Sequence, residues 1–84
     1  MSLLKDLGQK SNNFFVMKYS IFIQWSEEDQ VYIALLPEWG KYARTHGESY
    51  EEALENAKEV LKDLIYGYEK LGKALPEQKI LQFA

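Results

Sequence analysis

The chain has 84 residues and a formal net charge of -3, with hydrophobic residues at 46%, aromatics at 14% and no cysteine. That is enough apolar material for the core of one small domain, which excludes a disordered chain and several domains alike. The missing thiols exclude disulfides and thiolate metal sites, and the net acidity disfavours sequence-independent binding to phosphate backbones.

No apolar run approaches the roughly 18 to 20 residues that cross a bilayer, and no signal sequence opens the chain. A cytoplasmic protein without a membrane partner is therefore expected. Residues 1–16 pair a short helix-like start (Leu3, Leu4, Leu7) with a polar break at residues 9–13. They read as a leader, either a flexible tail or an arm that packs through Phe14 and Phe15. The compact domain is expected over residues 17–84.

Residues 18–26 alternate with period two, Tyr19, Ile21, Ile23 and Trp25 facing one way and Ser20, Phe22, Gln24 and Ser26 the other. This is the pattern of a half-buried strand. Glu27, Glu28, Asp29 and Gln30 form a polar loop. A second β-rich run over residues 31–36 follows and is stopped by Pro37, so the two runs should pair as an antiparallel hairpin. Trp39-Gly40 bends the chain, and residues 41–46 alternate again up to Gly47, predicting a short third strand.

Ser49, with Glu52 three positions on, predicts a capping box. The serine oxygen should accept the Glu52 backbone N–H while the glutamate reaches back to the Ser49 N–H. Behind it Tyr50, Ala53, Leu54, Ala57, Val60, Leu61, Leu64, Ile65, Tyr68 and Leu71 recur at spacings of three and four, the apolar stripe of a core-facing helix. Glu51, Glu55, Lys58, Glu59, Lys62 and Asp63 occupy the other side, Gly72 suits the C-terminal cap, and Pro76 prevents resumption. Residues 79–83 form a fourth β-like run. The expected fold class is α+β, in the order β-β-β-α-β, an antiparallel sheet with one helix on one face. One helix cannot cover both faces, so self-association is expected through Phe22, Tyr32 and Ala34.

Little points to catalysis. His46 is the only histidine, a poor basis for a metal site. Ser49 is occupied as a cap, and no nucleophile-elbow, zincin or phosphate-loop motif occurs. The acids Glu48, Glu51, Glu52, Glu55, Glu59 and Asp63 admit three readings: a solvated face, a docking surface for a basic partner, or a metal-dependent hydrolase. Trp25 and Trp39 read as core edges or as binding hot spots. No enzyme activity, catalytic residue, metal or cofactor is implied.

The stretch Leu36-Pro37-Glu38-Trp39-Gly40, followed by Ala43-Arg44-Thr45-His46-Gly47-Glu48-Ser49-Tyr50-Glu51-Glu52-Ala53-Leu54-Glu55-Asn56-Ala57, resembles the HicB antitoxin family. Glu48 and Ser49 stand where that family usually has aspartate and threonine, changes that preserve capping. Gly72-Lys73-Ala74-Leu75-Pro76-Glu77 is similar to the family's link to its last strand. The resemblance implies a partial ribonuclease H-like fold that oligomerises and binds a small basic HicA-type ribonuclease toxin, masking the toxin's active site. A partner surface of Trp39, Tyr42, Arg44, His46, Glu48, Glu51 and Glu55 goes with it. Only Ala84 follows Phe83, so no ribbon-helix-helix or helix-turn-helix segment, and no direct binding to nucleic acid, is expected. The alternative is a structural homo-oligomeric module with another protein partner.

Overall fold

The structure, a computed structural model, describes residues 18–81. The leader, with Phe14 and Phe15, lies outside the described residues, as do Gln82 and Phe83 of the fourth run. The fold is α+β. Three antiparallel strands, β1 (Phe22–Ser26), β2 (Val31–Leu35) and β3 (Arg44–Gly47), form a sheet in the order β1-β2-β3, and a 21-residue helix, α1 (Tyr50–Lys70), follows. No described helix is long and apolar enough to cross a membrane.

The hairpin joining β1 to β2 closes through its own polar loop. The Gln30 N–H bonds the Ser26 carbonyl at 2.7 Å, and the Asp29 N–H bonds Ser26 Oγ at 3.1 Å. Register then follows, with Ser26 opposite Val31 and Phe22 opposite Leu35. After β2 the chain makes a 3-10 turn over Pro37–Trp39. Gly40 leaves that turn with φ +105°, a conformation L side chains rarely adopt. The third strand starts later than its alternation predicts, because Lys41 and Tyr42 belong to the turn. It also runs through Gly47, which pairs with Tyr32.

Ser49 Oγ accepts the Glu52 N–H at 3.0 Å, as the capping pattern requires. The return bond differs from expectation: Glu52 Oε1 takes the N–H of Glu48, one residue before the cap. At the other end Gly72 stands at φ +69°. The Lys73 N–H bonds the Tyr68 carbonyl at 2.9 Å, and the Gly72 N–H bonds that of Glu69 at 3.1 Å, the paired closure of a Schellman motif.

The helix packs chiefly along β3, and the core consists of Tyr19, Ala34, Leu36, Ala53, Ala57 and Leu61. Small residues make that packing close. A Cβ on Gly47 would run into the Ala53 backbone nitrogen and come within 2.7 Å of the Glu52 carbonyl carbon. Any side chain at 47 would therefore lift the helix start off the sheet.

Twenty-one helical residues span about 31 Å, whereas a five-residue strand covers only about 17 Å. The helix therefore overhangs the sheet. Tyr50 and Leu71, at the two ends of the apolar stripe, are 57% and 74% exposed, contrary to their spacing. Under the overhang Trp39 fills the gap, its ring 5.0 Å from Tyr19 and 5.1 Å from Tyr68.

Glu38, in the 3-10 turn, ties the chain's two extended segments together. Its carboxylate accepts the Ser20 N–H at 3.0 Å, the Ser20 hydroxyl at 2.9 Å and the Lys79 N–H at 3.1 Å. Beside it the Tyr19 hydroxyl donates to the Pro76 carbonyl at 2.7 Å. Burial raises the Tyr19 hydroxyl above its ordinary value, against the opposing effect of a Gln78 hydrogen bond and with a further push from Glu38. For Glu38 burial also pushes upward, but the hydrogen bonds from Lys79 and Ser20 prevail and hold it below the usual carboxylate value. Residues 79–81 form no strand, which corrects the expectation of a fourth strand in this sheet over the described part of that run.

Two glycines separate close packing from simple flexibility. Gly47→Ala should cost about 2 to 3 kcal/mol by overpacking. Gly67→Ala, with nothing within 4 Å of the new methyl, should stabilise by up to about 1 kcal/mol. Urea denaturation of both variants checks the pair. A second prediction concerns pH. A carboxyl with a depressed folded value contributes stability that is complete above its unfolded value and lost as pH falls through the folded one. Glu38→Gln should therefore lower stability at neutral pH by about 1 to 3 kcal/mol. Its loss of stability on acidification should be shallower than that of the parent chain.

Candidate interaction surface

In an antiparallel sheet, paired residues share a face, so the register sorts every strand side chain. Ile23, Ala34 and Thr45 lie together on the side of α1, as do Trp25, Tyr32 and Gly47. The opposite face carries Phe22, Leu35 and Arg44 in one row and Gln24, Ile33 and His46 in the next. No described helix covers it.

The self-association set is corrected accordingly. Ala34 is fully buried beneath the helix. Tyr32 is packed between Trp25, at 5.1 Å, and Tyr50, at 4.3 Å. Both lie on the covered face. Phe22 alone of the three is on the open one, 58% exposed, and its neighbours there are Ile33 and Leu35.

At one end of the open face a cleft of about 340 Å³ is lined by the apolar Phe22, Leu35, Leu36, Pro37 and Ala43 together with Lys41 and Arg44. The Arg44 guanidinium donates to the Lys41 carbonyl at 3.2 Å, and the Lys41 ammonium lies 5.3 Å from the centre of the Tyr42 ring. Neither cation pairs with a carboxylate among the described residues. Tyr42 is 82% exposed.

The residues expected to bind a partner fall into three places. Trp39 is set apart, engaged in the aromatic cluster under the helix overhang. Tyr42, Arg44 and His46 lie along the turn and the β3 side of the sheet. Glu48, Glu51 and Glu55 are exposed at the helix start, where β3 delivers the chain. None of these three carboxylates is ion-paired with a described residue, and among the described residues no three histidine or acidic side chains converge to hold a metal ion.

Asn56 is a working residue whose role the helical pattern conceals. Its amide donates to the His46 carbonyl at 2.7 Å, binding the helix to the edge of β3. An asparagine inside an otherwise favourable helix is the available signal, since it gives up helix propensity. Glu38 offers no such signal, because its partners Ser20 and Lys79 are 18 and 41 positions away.

No family model matches the chain, and neither a curated protein nor a solved structure matches it.

Proposed function

We propose that the chain is a protein-interaction domain of the HicB-like antitoxin type, which binds and neutralises a small basic HicA-type ribonuclease toxin. The observation that carries this reading is the exposed acidic row Glu48, Glu51 and Glu55. Three carboxylates that pair with no cation among the described residues, beside the end of an edge strand on a chain of net charge -3, form a surface complementary to a basic protein. Such charge complementarity steers association and selects partners more than it adds affinity. The β-β-β-α order agrees with that part of the pattern the resemblance implies. In this reading the chain is not an enzyme, works in the cytoplasm with its toxin, and needs no cofactor and no nucleic-acid contact of its own.

The open sheet face favours a second reading, a homo-oligomeric module for a different protein partner. Its exposed Phe22 and the adjoining apolar cleft are the kind of patch that marks an interaction surface.

Co-expression with a HicA-type ribonuclease, followed by calorimetric titration of the purified pair, tests the first reading. Growth rescue by the parent chain is expected. Glu51→Lys combined with Glu55→Lys should weaken binding about tenfold or more and flatten its dependence on salt. Absence of rescue and complex, or binding indifferent to the double reversal, would contradict it.

A further inference from the structure

We infer that two copies of this chain assemble by strand addition, the run beginning at Lys79 of one copy pairing with the outer edge of β1 in the other. The inference is independent of the acidic row. It also assigns self-association to a sheet edge rather than to the open face.

The sheet has two edges, and they are treated differently. Exposed edges are normally protected by charge, proline or a covering group, because unpaired N–H and C=O groups invite another strand. On β3 the protection is present: Arg44 and His46 lie in the strand, and the Asn56 amide occupies the His46 carbonyl. On β1 it is missing. Phe-Ile-Gln-Trp-Ser carries no charge and no proline, with Phe22 58% and Trp25 46% exposed. Among the described residues no strand lies beyond it.

The complementary element is at the other end of the chain. Ile80 and Leu81 are 56% and 82% exposed and belong to no ladder. In sequence the run continues with Gln82 and Phe83, so that Lys79-Ile80-Leu81-Gln82-Phe83 holds three large apolar residues in five. Such a segment has the composition of a strand without a partner.

The Glu38 clasp brings the two together. One of its oxygens accepts both the Lys79 N–H and the Ser20 N–H, and Ser20 lies two residues before β1. The run is therefore released beside the start of the unprotected edge. The bond from Tyr19 to Pro76 fixes its approach. Since among the described residues of each copy one run and one edge lack a strand partner, reciprocal exchange satisfies both under a single two-fold axis.

Light scattering on the full chain and on two variants at micromolar concentration, with hydrogen exchange of the β1 amides, tests this. Leu81→Pro removes an N–H that strand addition needs, at a position with no hydrogen bond among the described residues. Ile33→Gln alters the centre of the open face. The parent chain and Ile33→Gln should both have the mass of two chains, with slowed exchange at the outward amides of β1. Leu81→Pro should have the mass of one, with that protection lost and its helical circular dichroism kept. A dimer that persists in Leu81→Pro and dissociates in Ile33→Gln would overturn the inference in favour of face-to-face association. A monomeric parent chain whose β1 protection disappears in Leu81→Pro would overturn it in favour of addition within one chain. A monomer without such protection would remove self-association altogether.

Discussion

The helix can rest on the sheet only because position 47 has no side chain. Gly47 ends β3 directly beneath the first turn of α1, where even a methyl group would collide with the backbone of Glu52 and Ala53. The small residues Ala34, Ala53 and Ala57 continue the close approach, and Leu36 and Leu61 fill what remains, both fully buried. Complete burial of a leucine is worth about 1.5 to 3 kcal/mol, so these two side chains matter in a domain with so few core residues. Asn56 and the Ser49 cap then fix the rotation and the start of the helix. The burial of Ala34, Ala53, Ala57 and Leu61 follows from that docking.

A single helix laid on β3 leaves the molecule asymmetric. One sheet face is covered; the other presents Phe22, Ile33 and Leu35 beside two cations that pair with no carboxylate among the described residues. One edge is protected by charge and by Asn56; the other carries no charge and has no strand beyond it among the described residues. The helix start carries carboxylates that pair with no cation among the described residues. Among the described residues these are three surfaces without a partner, of different kinds: an acidic row suited to a basic partner, an apolar face, and an edge that can take backbone hydrogen bonds. Their chemistry is that of association, because each offers complementary surface rather than convergent reactive groups.

The parts of this arrangement legible in the sequence are those governed by local periodicity. Alternation around Ile23 and Trp25, the Ser49 cap and the three-four spacing of Ala53, Ala57 and Leu61 locate the hairpin and the helix. Face membership across the hairpin follows from loop length, which the expected self-association set of Phe22, Tyr32 and Ala34 ignores: a four-residue loop places Ser26 opposite Val31 and hence Phe22 opposite Leu35, so Tyr32 and Ala34 lie on the other face. The overhang was not legible, because whether Tyr50 and Leu71 are covered depends on how much sheet lies beneath them. Nor was the Glu38 clasp, which joins positions distant in sequence through one carboxylate. The run at residues 79–81 has strand composition but meets no ladder, since composition specifies readiness to pair and not the presence of a neighbour.

The most direct measurement is the solvent accessibility of individual side chains, read from NMR relaxation by a soluble paramagnetic agent in the full chain. With the helix docked through Gly47 and the opposite face uncovered, signals of Phe22, Ile33 and Leu35 should relax strongly. Those of Ala34, Leu36, Ala57 and Leu61 should be protected. Equal protection of Ile33, Leu35 and Ala34 would contradict the account, because the sheet would then have no open face.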